Sequence, residues 1–146
     1  MKVFKFILLI LFLIQITSCE VETEKSEMVI TIGTVCGWCA GSDSLVITKQ
    51  KKAFTLAAIC DRKEKRISNL TPKTEWEELL SLYNQQKFEA INVNTCNVCA
   101  DGCDTWIRVE NGDFNHEIRF GYGDSTILVP IKEFIDKLEN IKSKYE

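Results

Sequence analysis

Apolar and polar positions alternate in short stretches along much of the chain beyond residue 28, as in half-buried β-strands. Five segments have this alternation or a β-branched composition: 28–32, 45–48, 53–60, 105–109 and 115–120. Gln50-Lys51 is predicted to form the tip of an early hairpin. Asn111-Gly112, the dipeptide most typical of a tight hairpin turn, separates the last two strands. Residues 90–93 are predicted to add one more short strand.

Two further segments have the period of a helix. The first is predicted over about 72–86, with Thr71 as N-cap and Pro72 at the first helical position. Its apolar face has four residues: Trp76, Leu79, Leu80 and Tyr83. The last helix opens at Pro130 and has a longer apolar stripe: Ile131, Phe134, Ile135, Leu138 and Ile141. The order strand-strand-strand-helix-strand-strand-helix predicts an α+β fold, an antiparallel sheet of two or three hairpins with both helices on one face.

The first 18 residues have a different pattern, a continuous apolar run after a basic start. Lys2 and Lys5 precede the apolar residues 6–14, and small or polar residues follow. This combination is typical of a secretory signal peptide. The run is shorter than the roughly 20 apolar residues that a membrane-spanning helix needs.

The signal peptide ends in Ile16-Thr17-Ser18-Cys19, which resembles the lipobox of bacterial lipoproteins. The resemblance covers the first nineteen residues. It implies that Cys19 is lipidated, with a diacylglyceryl group and an N-acyl chain such as palmitate, and becomes the mature N-terminus. Several acyl chains would anchor the protein to a lipid membrane, because one chain gives only reversible binding. The expected location is the bacterial cell envelope, at the outer membrane or the cell surface. The alternative is an ordinary secretory signal that contains a cysteine.

The next segment is acidic and predicts a tether. Four of the eight residues in 20–27 are glutamates, and a segment of this composition does not build a core. It is similar to the acidic stretch that directs some bacterial lipoproteins to the cell surface; a solvated spacer is the alternative. The chain thus divides into a signal peptide (1–18), a lipidated cysteine with its tether (19–27) and one disulfide-stabilised α+β domain (28–146).

Charge and motif content exclude several classes of function. Removal of the predicted signal peptide takes away Lys2 and Lys5, so the mature chain has 16 of the 18 basic residues. With 21 acidic residues, its net charge is −5. The basic runs at 49–52 and 61–66 are short and predict a turn and a solvated loop. No basic patch with interleaved aromatic residues is present, so nucleic acid is not an expected partner. The glycines of 121–125 do not complete a dinucleotide motif, and no cofactor is expected.

Six cysteines follow Cys19, and an even number in a small exported domain predicts disulfides. They are Cys36, Cys39, Cys60, Cys96, Cys99 and Cys103. Fifteen pairings are possible, and the sequence does not choose among them. Joining the two Cys-x-x-Cys segments would close a loop of about sixty residues and stabilise the fold by about 4 kcal/mol, against about 2 kcal/mol for a four-residue loop. We therefore expect cross-links between the two cysteine loops and the third strand.

Two functional alternatives use the same cysteines. Cys36-Gly37-Trp38-Cys39 resembles the active site of thioredoxin-like oxidoreductases, which implies Cys36 as nucleophile and Cys39 as resolving thiol. A strand precedes the motif as in that family, but the residues after Cys39 predict a turn and a strand instead of a helix. The second alternative is a structural zinc ion held by four thiolates, those of Cys36, Cys39, Cys96 and Cys99.

Other candidate residues favour packing or binding over catalysis. His116 alternates with apolar residues, which predicts a partly buried strand histidine, and with one histidine and no paired acids hydrolysis is not expected. Asp101-Gly102-Cys103-Asp104 predicts a turn rather than a calcium loop. Trp76 and Trp106 are expected in packing, whereas Trp38 lies between two cysteines and is expected to be exposed and to bind a partner.

The sequence therefore favours a non-enzymatic role. We expect a membrane-anchored envelope lipoprotein whose domain is a binding module for an unknown ligand, such as another envelope protein. The contact region is expected on the loops 36–44 and 96–104, because functional residues often lie on loops that a rigid scaffold positions. The thiol–disulfide oxidoreductase remains the alternative.

Overall fold

The computed structural model describes residues 27–145 and shows an α+β fold built on one antiparallel sheet. Its strands are β1 (Val29–Cys36), β2 (Ser42–Ile47), β3 (Lys51–Leu56), β4 (Lys65–Leu70), β5 (Cys103–Asn111) and β6 (Phe114–Phe120). They lie in the order β4-β3-β2-β1-β5-β6, so that β1 is central and its neighbours are β2 and β5. The predicted signal peptide, Cys19 and the tether up to residue 26 lie outside the described residues.

The helices follow the strands in two groups. They are α1 (Lys73–Leu82), α2 (Gln85–Glu89), α3 (Ser125–Leu128) and α4 (Lys132–Lys142), with 3-10 turns at Asn97–Ala100, Tyr122–Asp124 and Val129–Ile131. The prediction of a single helix over 72–86 is wrong in extent, because the backbone of Asn84 is extended and interrupts it. The Asn84 side chain accepts a hydrogen bond from the Lys87 amide (2.9 Å) and so caps the start of a second helix, α2. Pro72, not Thr71, occupies the N-cap position of α1, and the Thr71 amide donates to Gln50 O (3.1 Å).

The core lies between one face of the sheet and the helices α1 and α4. The sheet contributes alternate residues of five of its six strands. The strand register places these residues side by side: Ile30, Ile32, Leu45, Ile47, Phe54, Ile107, Val109 and Ile118. The helices contribute the predicted stripe that ends in Ile141, together with Trp76, Leu79 and Phe88. The first residue of that stripe, Ile131, lies in the 3-10 turn before α4, because α4 begins at Lys132 and not at Pro130 as predicted. Each fully buried aliphatic or aromatic side chain contributes roughly 1.5–3 kcal/mol. The predicted α+β class with an antiparallel sheet is confirmed, but the predicted apolar face of the first helix is only partly correct, because Leu80 is exposed and Tyr83 is only partly buried.

The two hairpin tips are close to the predicted positions. Asn111 and Phe114 pair across the β5–β6 turn, and Gly112 has φ +63°, which an L side chain rarely adopts. At the β2–β3 tip the Thr48 amide donates to Lys51 O (2.9 Å), so the turn is one residue earlier than predicted.

The strand β4 corrects the predicted element order. Lys65 and Arg66 were expected in a solvated loop, yet they pair with Leu56 and Thr55 of β3. Most residues of β4 are exposed, so this strand lacks the apolar alternation that identifies a half-buried strand. Its basic residues at the sheet edge are typical of natural edge strands, which use charge to avoid pairing with other chains.

The predicted strand at 90–93 is instead a short segment that covers the opposite edge of the sheet. Arg119 of β6 donates its amide to Val93 O, and its carbonyl accepts from the Thr95 amide, each at 3.0 Å. Asn94 thus forms a parallel bridge with Arg119. Within residues 27–145, none of the helices has the length and apolar character needed to span a membrane.

The sheet face opposite the helices contains Trp106. A Cβ added to Gly33 of β1 would lie 2.5 Å from Cε2 of Trp106 and 2.6 Å from Asp43 O. The indole ring therefore lies directly over a glycine, and the Arg108 guanidinium lies 5.8 Å from its centroid. The expectation that Trp106 serves packing is consistent with this position.

Candidate functional site: the cysteine end of the sheet

Three segments meet at one end of the sheet, and we call residues 36–44, 57–62 and 96–104 together the cysteine end. Cys36 and Cys103 are direct cross-strand partners on β1 and β5, with a Cα–Cα distance of 4.0 Å, and form a disulfide. Cys39 pairs with Cys60 at a Cα–Cα distance of 5.7 Å. The two disulfides join the Cys36–Ser44 loop to both of the other segments. The expected bond between the two Cys-x-x-Cys segments does not form, and Cys60 lies beyond the end of β3.

The third disulfide is local. Cys96 and Cys99 are separated by 3 positions, compared with 67 for Cys36–Cys103 and 21 for Cys39–Cys60. In the chain-entropy model the stabilisation from closing these loops is about 4 kcal/mol for the longest, about 3 for the intermediate and about 2 for the shortest. The long links therefore contribute most to the stability of the domain.

The three disulfides argue against both the redox site and the zinc site that the sequence offered as alternatives. Cys36 and Cys39 belong to different disulfides, so the structure does not form the redox pair that the resemblance to thioredoxin-like enzymes implies. For the zinc alternative, all four candidate ligands are bonded to sulfur and are not free thiolates. No group of three or more metal-ligating side chains is present among residues 27–145.

Asp104 holds the turn that contains Cys96 and Cys99. Its side chain is fully buried, with 0% relative exposure, and lies on the face of β5 opposite the core. Oδ1 accepts from Thr95 Oγ1 (2.9 Å), Asn97 Nδ2 (2.9 Å) and the Asn97 amide (3.1 Å), and Oδ2 accepts from the Val98 amide (3.1 Å). A buried carboxylate with this many donors is satisfied as an anion.

The ionisation of Asp104 follows from these contacts. Burial raises the pKa of this carboxyl, but the hydrogen bonds from Val98, Asn97 and Thr95 outweigh burial and hold the pKa below the ordinary value of 3.8. Asp104 is therefore charged at neutral pH. The sequence predicted only a turn here, because the donors that identify Asp104 as an anchor come together only in the folded chain.

Trp38 is at the tip of the Cys36–Ser44 loop and is 80% exposed, which confirms its predicted exposure. The turn beneath it is closed by hydrogen bonds from the Cys36 amide to Gly41 O (3.0 Å) and from the Gly37 amide to Gly102 O (2.9 Å). A Cβ on Gly37 would lie 2.8 Å from Asp101 Cα, so the loops are in close backbone contact. Trp38 itself has φ +51°, an uncommon conformation for an aromatic residue.

Arg62 adds a contact that the sequence did not indicate. Its Nη1 donates to Ala40 O (3.0 Å), and its amide donates to Ile59 O (3.0 Å). The basic run at 61–66 was predicted to be a solvated loop. Its first part instead packs against the Cys36–Ser44 loop, next to Cys60. Disulfides and hydrogen bonds thus connect all three segments of the cysteine end.

A buried ion pair lies next to this end of the sheet. Lys142 Nζ, near the end of α4, is 2.8 Å from Asp43 Oδ1 and 2.7 Å from Thr34 Oγ1. The two charged side chains are 9% and 16% exposed. Asp43 also accepts from the Thr34 amide (3.1 Å). A cavity of about 230 Å³ lies beside the pair, lined by Ile32, Thr34, Thr105, Glu139, Lys142 and Ser143.

The remaining predicted residues lie elsewhere. Trp76 is buried in the core, 6% exposed. His116 is partly buried, its Nε2 lies 2.9 Å from Ile91 O, and its ring centroid is 5.3 Å from that of Phe88, as expected for a strand histidine.

Comparison with known proteins adds no assignment: neither a protein-family model nor a curated protein sequence matches the chain.

Proposed function

We propose that this chain is a lipid-anchored protein of the bacterial envelope whose domain binds a partner protein through the surface around Trp38. The observation that supports the proposal most is the presentation of Trp38. A tryptophan that is 80% exposed lies at the tip of a short loop whose two flanking cysteines are both in disulfides. No other part of the described chain combines a large exposed aromatic side chain with covalent support on both sides.

This arrangement suits an interface because it lowers the cost of binding. Tryptophan is enriched among the residues that dominate binding free energy, since one side chain buries a large apolar area. The Cys36–Cys103 and Cys39–Cys60 disulfides restrict the loop before a partner arrives, so less conformational entropy is lost on binding. Backbone constraint at a residue with positive φ is also more frequent at functional sites than elsewhere.

The position of the proposed anchor is compatible with this surface. The tether would join the domain just before Val29, at the start of β1, whereas Cys36 is at the other end of the same strand. Seven residue steps along a strand span about 23 Å. The Trp38 surface therefore lies at the end of the sheet away from the tether and would face away from the membrane.

Site-specific photo-crosslinking tests the binding proposal. A photoreactive amino acid replaces Trp38 in the full chain, in the cells that produce it, and Leu70 is the matched control because it is 83% exposed on β4. We expect a discrete crosslinked species from position 38 and none of the same mass from position 70. The absence of a specific species at position 38 would contradict the proposal.

Lipidation is tested separately. We expect labelled palmitate to be incorporated into the wild-type chain and not into Cys19→Ala, which should also be lost from the membrane fraction. Incorporation that persists in Cys19→Ala would overturn the proposed anchor while leaving the Trp38 interface to be judged on the crosslinking result.

A further inference from the structure

Cys96–Cys99 differs from the other two disulfides in what it connects. Cys36–Cys103 joins β1 to β5, and Cys39–Cys60 joins two separate loops, whereas Cys96 and Cys99 belong to one turn. The Cys99 amide already donates to Cys96 O (3.1 Å), so the disulfide brings no distant segment into the fold. The structural role that accounts for the other two disulfides is therefore weakest here.

The turn also has supports that do not depend on the disulfide. The Asp104 carboxylate accepts hydrogen bonds from the amides of Asn97 and Val98, and the Gly102 amide donates to Asn97 O (2.8 Å). Breaking the sulfur–sulfur bond leaves all of these contacts in place. The two sulfur atoms would therefore remain on one ordered turn after reduction, close enough to form the bond again.

Cys96 and Cys99 also lie at the surface of the domain. Thiol–disulfide exchange requires a thiolate to reach one sulfur of the bond. Cys96 and Cys99 are both exposed, so an external thiolate can approach their bond. Cys36 is only partly exposed, and although Cys103 is exposed, their bond links β1 to β5, so its loss would remove a covalent connection between two strands of the sheet. Cys39 and Cys60 are also exposed, but their bond is what connects the Trp38 loop to the segment after β3, so its loss would free both loops.

From the local loop, the independent support and the exposure, we propose that Cys96–Cys99 is a thiol–disulfide exchange site that accepts two electrons from an external dithiol while the domain stays folded. A thiolate of the dithiol attacks one sulfur, forming a mixed disulfide and releasing the other cysteine as a thiol. The second thiol of the reagent then attacks the mixed disulfide. Both cysteines leave the reaction as thiols, the reagent leaves as a disulfide, and two electrons and two protons have passed to the protein.

The reaction is tested on the purified, folded mature chain with dithiothreitol as the dithiol. Samples are quenched by alkylation at increasing reductant, the modified cysteines are identified by peptide mass, and near-ultraviolet circular dichroism is recorded in parallel. We expect Cys96 and Cys99 to be alkylated first, at a rate on the order of tenfold above the other four cysteines, with the spectrum unchanged. Removing the dithiol and adding oxidised glutathione should restore the bond.

Two double variants make the result decisive. In Cys39→Ser/Cys60→Ser the fast phase should persist, and in Cys96→Ser/Cys99→Ser it should disappear while the protein remains folded. The proposal is overturned if Cys96 and Cys99 open only with denaturant, if Cys39–Cys60 opens first, or if opening abolishes the tertiary spectrum. Failure to re-form the bond under oxidised glutathione would also overturn it.

Discussion

The Oδ2 atom of Asp104 accepts a hydrogen bond from the Val98 amide at 3.1 Å, and this bond joins the start of β5 to the turn that contains Cys96 and Cys99. Three other donors converge on the same carboxylate, which has no exposed surface. A single buried anion thus organises a loop that the disulfide alone would leave free to move relative to the sheet.

Replacing Asp104 with asparagine should destabilise the domain. The amide NH₂ would face one of the backbone donors, and a buried donor would be left without an acceptor, at a cost of roughly 2–4 kcal/mol. Urea denaturation followed by far-ultraviolet circular dichroism measures the change. Asp101→Asn is the control, because Asp101 is exposed in the same turn and asparagine tolerates its φ of +61°. Equal effects of the two substitutions would argue against the anchoring role.

Stability should fall in acid because of the same carboxylate. The pKa of Asp104 is lower in the folded state than its ordinary value of 3.8, so the unfolded chain binds the proton more tightly. The stabilisation is therefore complete above about pH 4 and is lost as pH falls through the lower folded-state pKa. Glu75 adds in the same direction, since Lys52 and Lys144 outweigh the effect of burial and hold its pKa below 4.5.

The measurement compares the wild type and Asp104→Asn in urea at several pH values. The difference in unfolding free energy between them should be largest near neutral pH and should narrow towards about pH 3. A difference that stays constant across this range would mean that Asp104 contributes through packing and not through its charge.

Gly33→Ala should be destabilising because the new methyl group has no room. It would lie 2.5 Å from the Trp106 ring and 2.6 Å from the Asp43 carbonyl, and the backbone atom cannot move aside as a flexible side chain would. We expect a loss of about 1–3 kcal/mol in thermal or urea unfolding. Gly123→Ala is the matched control, since nothing lies within 4 Å of its added Cβ, and it should be neutral. A neutral Gly33→Ala would show that Trp106 does not lie over β1.

Lys142→Met should destabilise the domain because it breaks the buried ion pair with Asp43. Without the ammonium group, the Asp43 carboxyl would lose its cationic partner in a largely buried position, and we expect a loss of roughly 3–5 kcal/mol in unfolding experiments. In the double variant Lys142→Met/Asp43→Leu neither charge remains, so much of the loss should be recovered. If the two single effects simply add in the double variant, the pair is not energetically coupled.

The sequence predicted those elements whose determinants are local. Asn111-Gly112 specified the β5–β6 hairpin, and the spacing of Phe134 and Leu138 identified α4, because each pattern repeats within one element. It missed β4, whose residues are exposed at the sheet edge and lack alternation. It also left the disulfides unassigned, because the pairing of Cys36 with Cys103 depends on the register of β1 against β5 and not on spacing along the chain.

The candidate site was predicted in outline only, for a similar reason. Trp38 was identified by its position between two cysteines, which is a local feature. Asp104 and the Lys142–Asp43 pair were not, since the partners of each are brought together by the fold from different elements. Nothing in the sequence indicated that Lys142 is buried, because lysine side chains are mostly exposed in folded proteins.

The central position of β1 has a mechanical consequence. A membrane anchor before Val29 and a partner bound at Trp38 would pull on opposite ends of the same strand, so tension between them would run along its axis. Because both points of attachment lie at the ends of one continuous strand, its covalent backbone would carry the tension, and the backbone hydrogen bonds to β2 and β5 would not have to break. If the proposed anchor and partner are both engaged, tension between them would thus pass along a strand that is already extended and would leave the pairing of the sheet intact.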